Sequence, residues 1–398
     1  MFTETLTSQN ISINKTRKLF RQRAWVEIDH TAIIHNVREM QKLLSPQTQL
    51  MAVIKADAYG HGAVSVAKTI LTQGVTWLAI ATLTEGIELR ESGITAPILV
   101  LGALNTPEEV EALLYWNLEP TLCNLQQALI FSQTVSQLQT TLLVHLKIDT
   151  GMTRLGTSYL ETLEFCRSVQ ALPGLKIVSL YSHLATADAP NLAIMEQQKA
   201  RFTQAISQLK AAGLEIPLLH IANSAATLTN SNVHYDLVRV GLCLYGLYPA
   251  PHLESKINLQ PVLQVKARIT QVKQVPAGTG VSYGHQFISD RPLIVATVGI
   301  GYADGIPRNL SNKLKVLLRG QWVQQIGAIT MDQLMLDVTD LENVQQGEII
   351  TLIGNDGEFS ISPQDWANQL GTISWEILCS FKHRLPRVNL NEGTPSNP

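Results

Sequence analysis

Between residues 50 and 242 the chain alternates short apolar runs with longer stretches of helical spacing. The apolar runs read as strands: LMAVIK (50–55), WLAIAT (77–82), PILVLG (97–102), LEPTLC (118–123), LLVHLKID (142–149), KIVSLYSHL (176–184), LLHIANS (218–224) and YDLVRVGL (235–242). Helical stretches such as AVSVAKTILTQG and NLAIMEQQKARFTQAISQLKAAG lie between most of them, with Gly74, Gly93 and Gly213 as stops. Eight strands alternating with helices predict a parallel sheet closed into a (β/α)8 barrel. The competing open doubly wound sheet would carry G-x-G-x-x-G after an early strand, which the 50–62 loop does not supply.

Beyond YPAPHLESKINLQP (248–261), which reads as a linker, the pattern changes to β-type runs such as VLQVKARITQVKQV and PLIVATVGIGY. Turn signals separate them, PAGTG, ADGIPR and NDGE among them, and a short helix is expected near 363–380. WVEID (25–29) is a strand the barrel does not need, and pairing with the second domain is one place for it. The expected division is a polar leader over 1–23, a barrel over 24–250 and a β domain over 251–398.

A chain of 398 residues suits two domains. A net charge of −2 gives no electrostatic footprint for nucleic acid, and no apolar run approaches the roughly 18 residues of a membrane span. The first residues lack the apolar core of a signal peptide and carry five basic residues between Lys15 and Arg23. They read as a leader, with a transit peptide as the other reading. The four cysteines, Cys123, Cys166, Cys243 and Cys379, form no C-x-x-C and no dense framework, so buried thiols in a reducing cytoplasm are expected, and no metal site.

Functional groups of such barrels collect at the C-terminal ends of the strands. Lys55 ends the first predicted strand and Lys147 and Asp149 the fifth, with Arg154 just after. His183 ends the sixth, Asn223 and Ser224 the seventh, and Arg239 lies near the end of the eighth. Singly, each is a polar residue meeting water where a strand stops. Together they make a cationic rim suited to an anionic, phosphate-bearing ligand. Ser224 and the Gly241-Leu242 step lie in the loops that often bind phosphate in this fold. A lysine among cations is pushed toward its neutral amine, a nucleophile for carbonyl carbon. A phosphate-bearing aldehyde is what pyridoxal 5′-phosphate offers.

VIKADAYGHG (53–62), KIDTGMTRLG (147–156), SHLATAD (182–188), ANSAA (222–226), VRVGLCLYGLYP (238–249), VSYGH (281–285), GIGYADGIPR (299–308) and GAITMDQLMLDV (327–338) occur in order between Trp25 and Arg387. Together they resemble the alanine racemase family. The resemblance implies a pyridoxal-phosphate barrel followed by a β domain, in a cytoplasmic homodimer with shared sites that makes D-alanine for peptidoglycan. Lys55 resembles the lysine that bonds to the cofactor and also serves as base on one face of the substrate. Tyr283 resembles the base on the other face, supplied by the partner subunit; a structural β-domain tyrosine is the alternative. Arg239 resembles the arginine facing the pyridine nitrogen, the alternative being a core arginine paired with Asp236. His183 resembles its supporting histidine, or is a satisfied core residue.

Tyr59, Ser224 and Gly241 resemble phosphate ligands; packing at Tyr59 and a plain turn at Gly241 are the bland readings. Arg154 and the backbone N–H of Met331 resemble the groups that meet the substrate carboxylate. Asp332 and Tyr302 resemble residues of the access channel. Lys147 resembles a lysine carbamylated in many members; an ordinary Lys147–Asp149 arrangement is equally open. His383 departs from the pattern, standing where many relatives carry a phosphate-binding tyrosine. The rivals are a serine or broad-specificity racemase on the same scaffold, a decarboxylase, whose ring nitrogen usually meets a carboxylate, and a non-catalytic cofactor carrier, which would lack the β domain.

Overall fold

The computed structural model describes residues 23–390, so the expected leader lies, apart from Arg23, outside the described residues. The chain divides into two compact units, His30–Pro261 and the segments that flank it. The first strand, β1 (Ala24–Ile28), is buried throughout and belongs to the second of these.

In the first unit the apolar runs form eight parallel strands: β2 (Gln49–Val53), β3 (Trp77–Ile80), β4 (Ile98–Ala103), β5 (Glu119–Leu122), β6 (Leu142–Asp149), β7 (Leu175–Tyr181), β8 (Leu218–His220) and β9 (Leu237–Val240). They are hydrogen-bonded in chain order, with β9 beside β2. Asp236 N–H to Leu219 O (3.1 Å) and Arg239 N–H to Ala222 O (2.9 Å) join the chain around β9 to that around β8, and the ring closes. This is the expected (β/α)8 barrel. Its helices are set by local signals. Pro107–Tyr115, for example, opens with Pro at its start and a capping box in which the Thr106 hydroxyl accepts from Glu109 N–H while Glu109 Oε2 accepts from Thr106 N–H.

The second unit reads its strands from period-two alternation. Along β10 (Leu263–Val275), Leu263, Val265, Ala267 and Ile269 are buried, while Gln264, Lys266, Arg268 and Thr270 are half-exposed. β10 pairs antiparallel with β11 (Leu293–Val298). The ring runs on through β14 (Leu334–Asp337), β13 (Gln321–Ile326), β12 (Lys315–Leu318) and β15 (Ile349–Asp356), back to β10. β1 adds to this sheet, pairing Val26 with Val265 antiparallel, and on its other side lies parallel to Arg387–Asn389.

Two expectations need correction. The helix near 363–380 is two helices, Pro363–Leu370 and Ser374–Ser380, because Gly371 takes a left-handed φ of +69° and ends the first. Cys379 is exposed, since the second helix buries Ser374, Ile377 and Leu378 on its other side; Cys123, Cys166 and Cys243 are buried.

Gly246 ends the turn Leu242–Tyr245 at φ +77°, and a Cβ there would lie 2.0 Å from Gln260 O. Gly246→Ala should therefore lower stability by about 2–3 kcal/mol, seen as a lower thermal unfolding midpoint of the full chain.

Candidate active site

After β2 the chain reverses through the left-handed region. Ala56, Asp57, Ala58 and Tyr59 all have φ between 53° and 55°, a conformation the Cβ of any L-residue disfavours. For this reason the strand expected to reach Lys55 stops at Val53. The turn is held from several sides. Ala58 N–H donates to Ile54 O at 2.9 Å, Ala56 N–H to Glu85 Oε1 at 2.7 Å and Ala63 N–H to Asp57 Oδ1 at 2.7 Å. The other oxygen of Glu85 accepts from Ala81 and Thr82 N–H at 2.7 and 3.1 Å. One carboxylate thus caps the helix Leu83–Glu91 and anchors the turn. Lys55 stands at the head of this turn and Tyr59 at its end, both half-buried.

Tyr59 meets the loop after β9. A Cβ on Gly241 would lie 2.8 Å from the Tyr59 hydroxyl, so glycine is what lets the two approach. Gly241 N–H donates to Ser224 Oγ at 3.1 Å. Ser224 is placed by Asn223, whose Oδ1 accepts from Ala226 N–H at 3.0 Å. Two hydroxyls and a backbone N–H gather here, a donor set that suits a phosphate. Tyr59, Ser224 and Gly241 therefore fit the phosphate end of the expected cofactor.

Arg239, on β9, is buried. Its Nη2 donates to Ser182 O (2.7 Å), His183 Nδ1 (3.2 Å) and Ile221 O (3.3 Å), and its Nη1 to His220 Nδ1 (2.7 Å). The pairing with Asp236 is replaced by these bonds; the Asp236 carboxylate accepts from Leu219 N–H at 2.7 Å. Burial lowers Arg239 to about 10, so it remains a cation at neutral pH. Burial first, then Arg239, Arg154, Lys147 and Lys55, hold His183 well below the usual imidazole range. His183 is thus a neutral acceptor for Arg239.

Lys147, buried on β6, lies 5.3 Å from the centre of the Tyr181 ring, and the Arg239 guanidinium 5.1 Å from it. Burial, and next the charge of Arg239, lower the Lys147 amine to about 8. Asp149 Oδ1 accepts from Gly151, Met152 and Thr153 N–H at 2.8, 2.9 and 3.1 Å. It builds the loop that leads to the exposed Arg154.

Tyr283 and Met331 belong to the other compact unit, where they are 74% and 53% exposed. Ser282, before Tyr283, has φ 65° and ψ −172°, a region essentially reserved for glycine. Its hydroxyl donates to Ala328 O at 2.7 Å, tying the tyrosine's turn to the Met331 segment. Tyr302 N–H donates to Thr330 O (2.9 Å) and Ala303 N–H to Met331 O (3.0 Å), so Tyr302 joins the same group. Arg384 Nη2 donates to Asp332 Oδ1 at 2.7 Å. His383, beside it, is exposed.

Sequence reasoning passed over Glu85, Glu119, His145, Ser179 and His220. Thr82-x-x-Glu85 is a capping-box pattern that marks the first. For Glu119, His145 and Ser179 the signal is polar residues at alternate strand positions: Glu119 and Thr121, His145 and Lys147, Ser179 and Tyr181; His220, with Leu218 and Ala222 at its alternate positions, carries no such signal. In a strand covered on both faces these are buried.

Two family models match the chain: alanine racemase, N-terminal domain, over residues 28–249, and alanine racemase, C-terminal domain, over 262–389. The alanine racemase of Synechocystis sp. is 62% identical over 370 residues, covering 93% of this chain and all of that protein. That of Nostoc sp. is 60% identical over 373 residues, covering 93% and 97%. Among solved structures, the alanine racemase from Bacillus anthracis with bound L-Ala-P matches with a TM-score of 0.89 at 35% identity, covering 94% of this chain and 96% of that one. The alanine racemase of Clostridium difficile 630 matches with a TM-score of 0.88 at 35% identity, covering 92% and 96%.

In carbonate-free buffer, Lys147 should acylate with a half-point near pH 8, neutral and reactive above it, protonated below. Arg239→Gln should move the half-point upward without restoring the ordinary value, because burial is the larger cause. Competitive labelling with a small acylating reagent, read by mass spectrometry, checks both.

Proposed function

The chain belongs to the alanine racemase family, and from that premise we propose how its residues share the work of interconverting L- and D-alanine with pyridoxal 5′-phosphate. When bound, the cofactor supplies an electron-withdrawing ring system that makes the α-hydrogen of the attached amino acid removable. Inverting a carbon then requires a proton to leave one face and return on the other, so bases are needed on both faces. Lys55 would hold the cofactor until the substrate amine takes its place, and its freed amine would then move the proton on one face; Tyr283 would serve the other. L-Alanine loses its proton to Tyr283 and D-alanine to Lys55. Arg154 and the Met331 backbone N–H hold the substrate carboxylate. Tyr59, Ser224 and Gly241 hold the phosphate.

The observation that carries this reading is Arg239: a buried, donor-only cation held by neutral acceptors. Beside the ring nitrogen, a guanidinium could only donate to it and could not accept from a protonated nitrogen as a carboxylate does, so it would favour the unprotonated ring. An unprotonated ring would withdraw less charge from the α-carbon, which would favour reprotonation there over transamination. A decarboxylase would set a carboxylate there. His183 supports Arg239 as a neutral acceptor.

The enzyme works, in our reading, as a homodimer in which Tyr283 and Met331 of one protomer complete the partner's site. Their exposure supports this: a base and a substrate ligand that stand in solvent on one unit suit docking onto another subunit. We assign it to the supply of D-alanine for cell-wall peptide in the cytoplasm, where the buried thiols Cys123, Cys166 and Cys243 suit reducing conditions. No helix among the described residues is long and apolar enough to cross a membrane.

Purified holoenzyme incubated with L-alanine should form D-alanine, measured with a stereospecific oxidase, and should act far more slowly on L-serine. Borohydride should fix the cofactor onto Lys55. Tyr283→Phe should lower kcat by on the order of 10²–10⁴ in both directions. Full activity in that variant, with an unchanged dimer by gel filtration, would remove Tyr283 from the mechanism.

A further inference from the structure

Behind Arg239 a chain of buried polar side chains crosses five neighbouring strands. Arg239 Nη1 lies 2.7 Å from His220 Nδ1. His220 Nε2 lies 2.9 Å from Ser179 Oγ. Ser179 Oγ lies 2.6 Å from His145 Nδ1, and His145 Nε2 lies 2.8 Å from Glu119 Oε2. Each of the five is less than a tenth exposed.

The direction of every bond follows from one end. A guanidinium only donates, so His220 Nδ1 must accept. His220 then carries its proton on Nε2 and donates to Ser179. With its oxygen accepting there, the single hydroxyl proton of Ser179 goes to His145 Nδ1. That leaves the His145 proton on Nε2, donated to Glu119, whose carboxylate only accepts. In this arrangement each imidazole accepts at Nδ1 and donates from Nε2. Burial and the nearby Arg239 charge hold His220 well below the usual imidazole range, in agreement with a neutral ring. The Tyr181 ring stacks on His220, centroids 4.8 Å apart and planes within 3°, and fixes its orientation.

We propose that Glu119, His145, Ser179 and His220 are positioning residues that act through Arg239: a one-way relay that supplies the buried cation with a distant counter-charge and keeps an acceptor facing its Nη1. If the relay is broken at Ser179, the buried His220 Nε2–H loses its acceptor and Arg239 loses the counter-charge behind it, so His220 becomes a weaker, less firmly placed acceptor for Arg239 Nη1. The consequence for the cofactor rests on the reading that Arg239 faces the ring nitrogen.

The direct measurement is the 15N spectrum of histidine-labelled holoenzyme, assigned by His220→Gln and His145→Gln. Both rings are expected as neutral Nε2–H tautomers; a Nδ1–H or doubly protonated ring at either position overturns the relay whatever the cofactor does. Next, Ser179→Ala breaks continuity, and Glu119→Gln removes the charge and substitutes a group that can donate as well as accept. Each should shift the absorption of the bound cofactor and raise the fraction of turnovers lost to transamination by on the order of tenfold, roughly what a hydrogen bond to a charged group is worth. Ser132→Ala, which deletes a part-buried hydrogen bond from the Ser132 hydroxyl to Pro173 O away from the relay, should lower stability without moving the spectrum. A spectrum unmoved by the Ser179 and Glu119 variants but shifted by Arg239→Lys would make the relay merely structural. A spectrum unmoved by Arg239→Lys as well would overturn the placement of Arg239 at the ring.

Discussion

A guanidinium that stays charged at neutral pH sits inside the barrel, and the arrangement around it follows from the need to satisfy it. Arg239 is buried, so each N–H without an acceptor would cost about 1–3 kcal/mol. The carbonyls of Ser182 and Ile221, at the ends of β7 and β8, and the rings of His183 and His220 meet that demand. This explains why the interior of β5–β8 carries glutamate, histidine and serine where a barrel of this class more often packs branched aliphatic side chains.

The architecture was legible because each barrel strand is an apolar run bounded by turn signals, and the β10 strand alternates at period two. The order and spacing of the motifs named the rim residues as well. What could not be read is local conformation and side-chain direction. Nothing in KADAY announces four successive left-handed residues, none of them glycine. Propensity would have made that stretch an ordinary helix or loop; the tertiary bonds from Glu85 and Asp57 override it. Polar residues at alternate positions, as in His145 and Lys147, look like a strand with one wet face. Only closure of the sheet turns that face into an interior. The break at Gly371 and the exposure of Cys379 depend on which side of a short helix finds a partner.

The β unit shows the same economy of means on a smaller scale. Ser282 occupies a backbone region suited to glycine, yet its hydroxyl is what ties the Tyr283 turn to Ala328 O and so to Met331. Glycine would relieve the conformation and lose the tie. Two segments distant in sequence thus keep one spacing through a single hydrogen bond.

The mirror-handed turn at Ala56–Tyr59 has a thermodynamic side. At about 1–2 kcal/mol per residue, four such residues cost roughly 4–8 kcal/mol, a large share of the 5–15 kcal/mol that typically separates folded from unfolded chains. That strain sits between a lysine and a tyrosine whose separation it sets, and a relaxed backbone could not hold them so. The lysine end of this barrel is accordingly where stability has been exchanged for geometry.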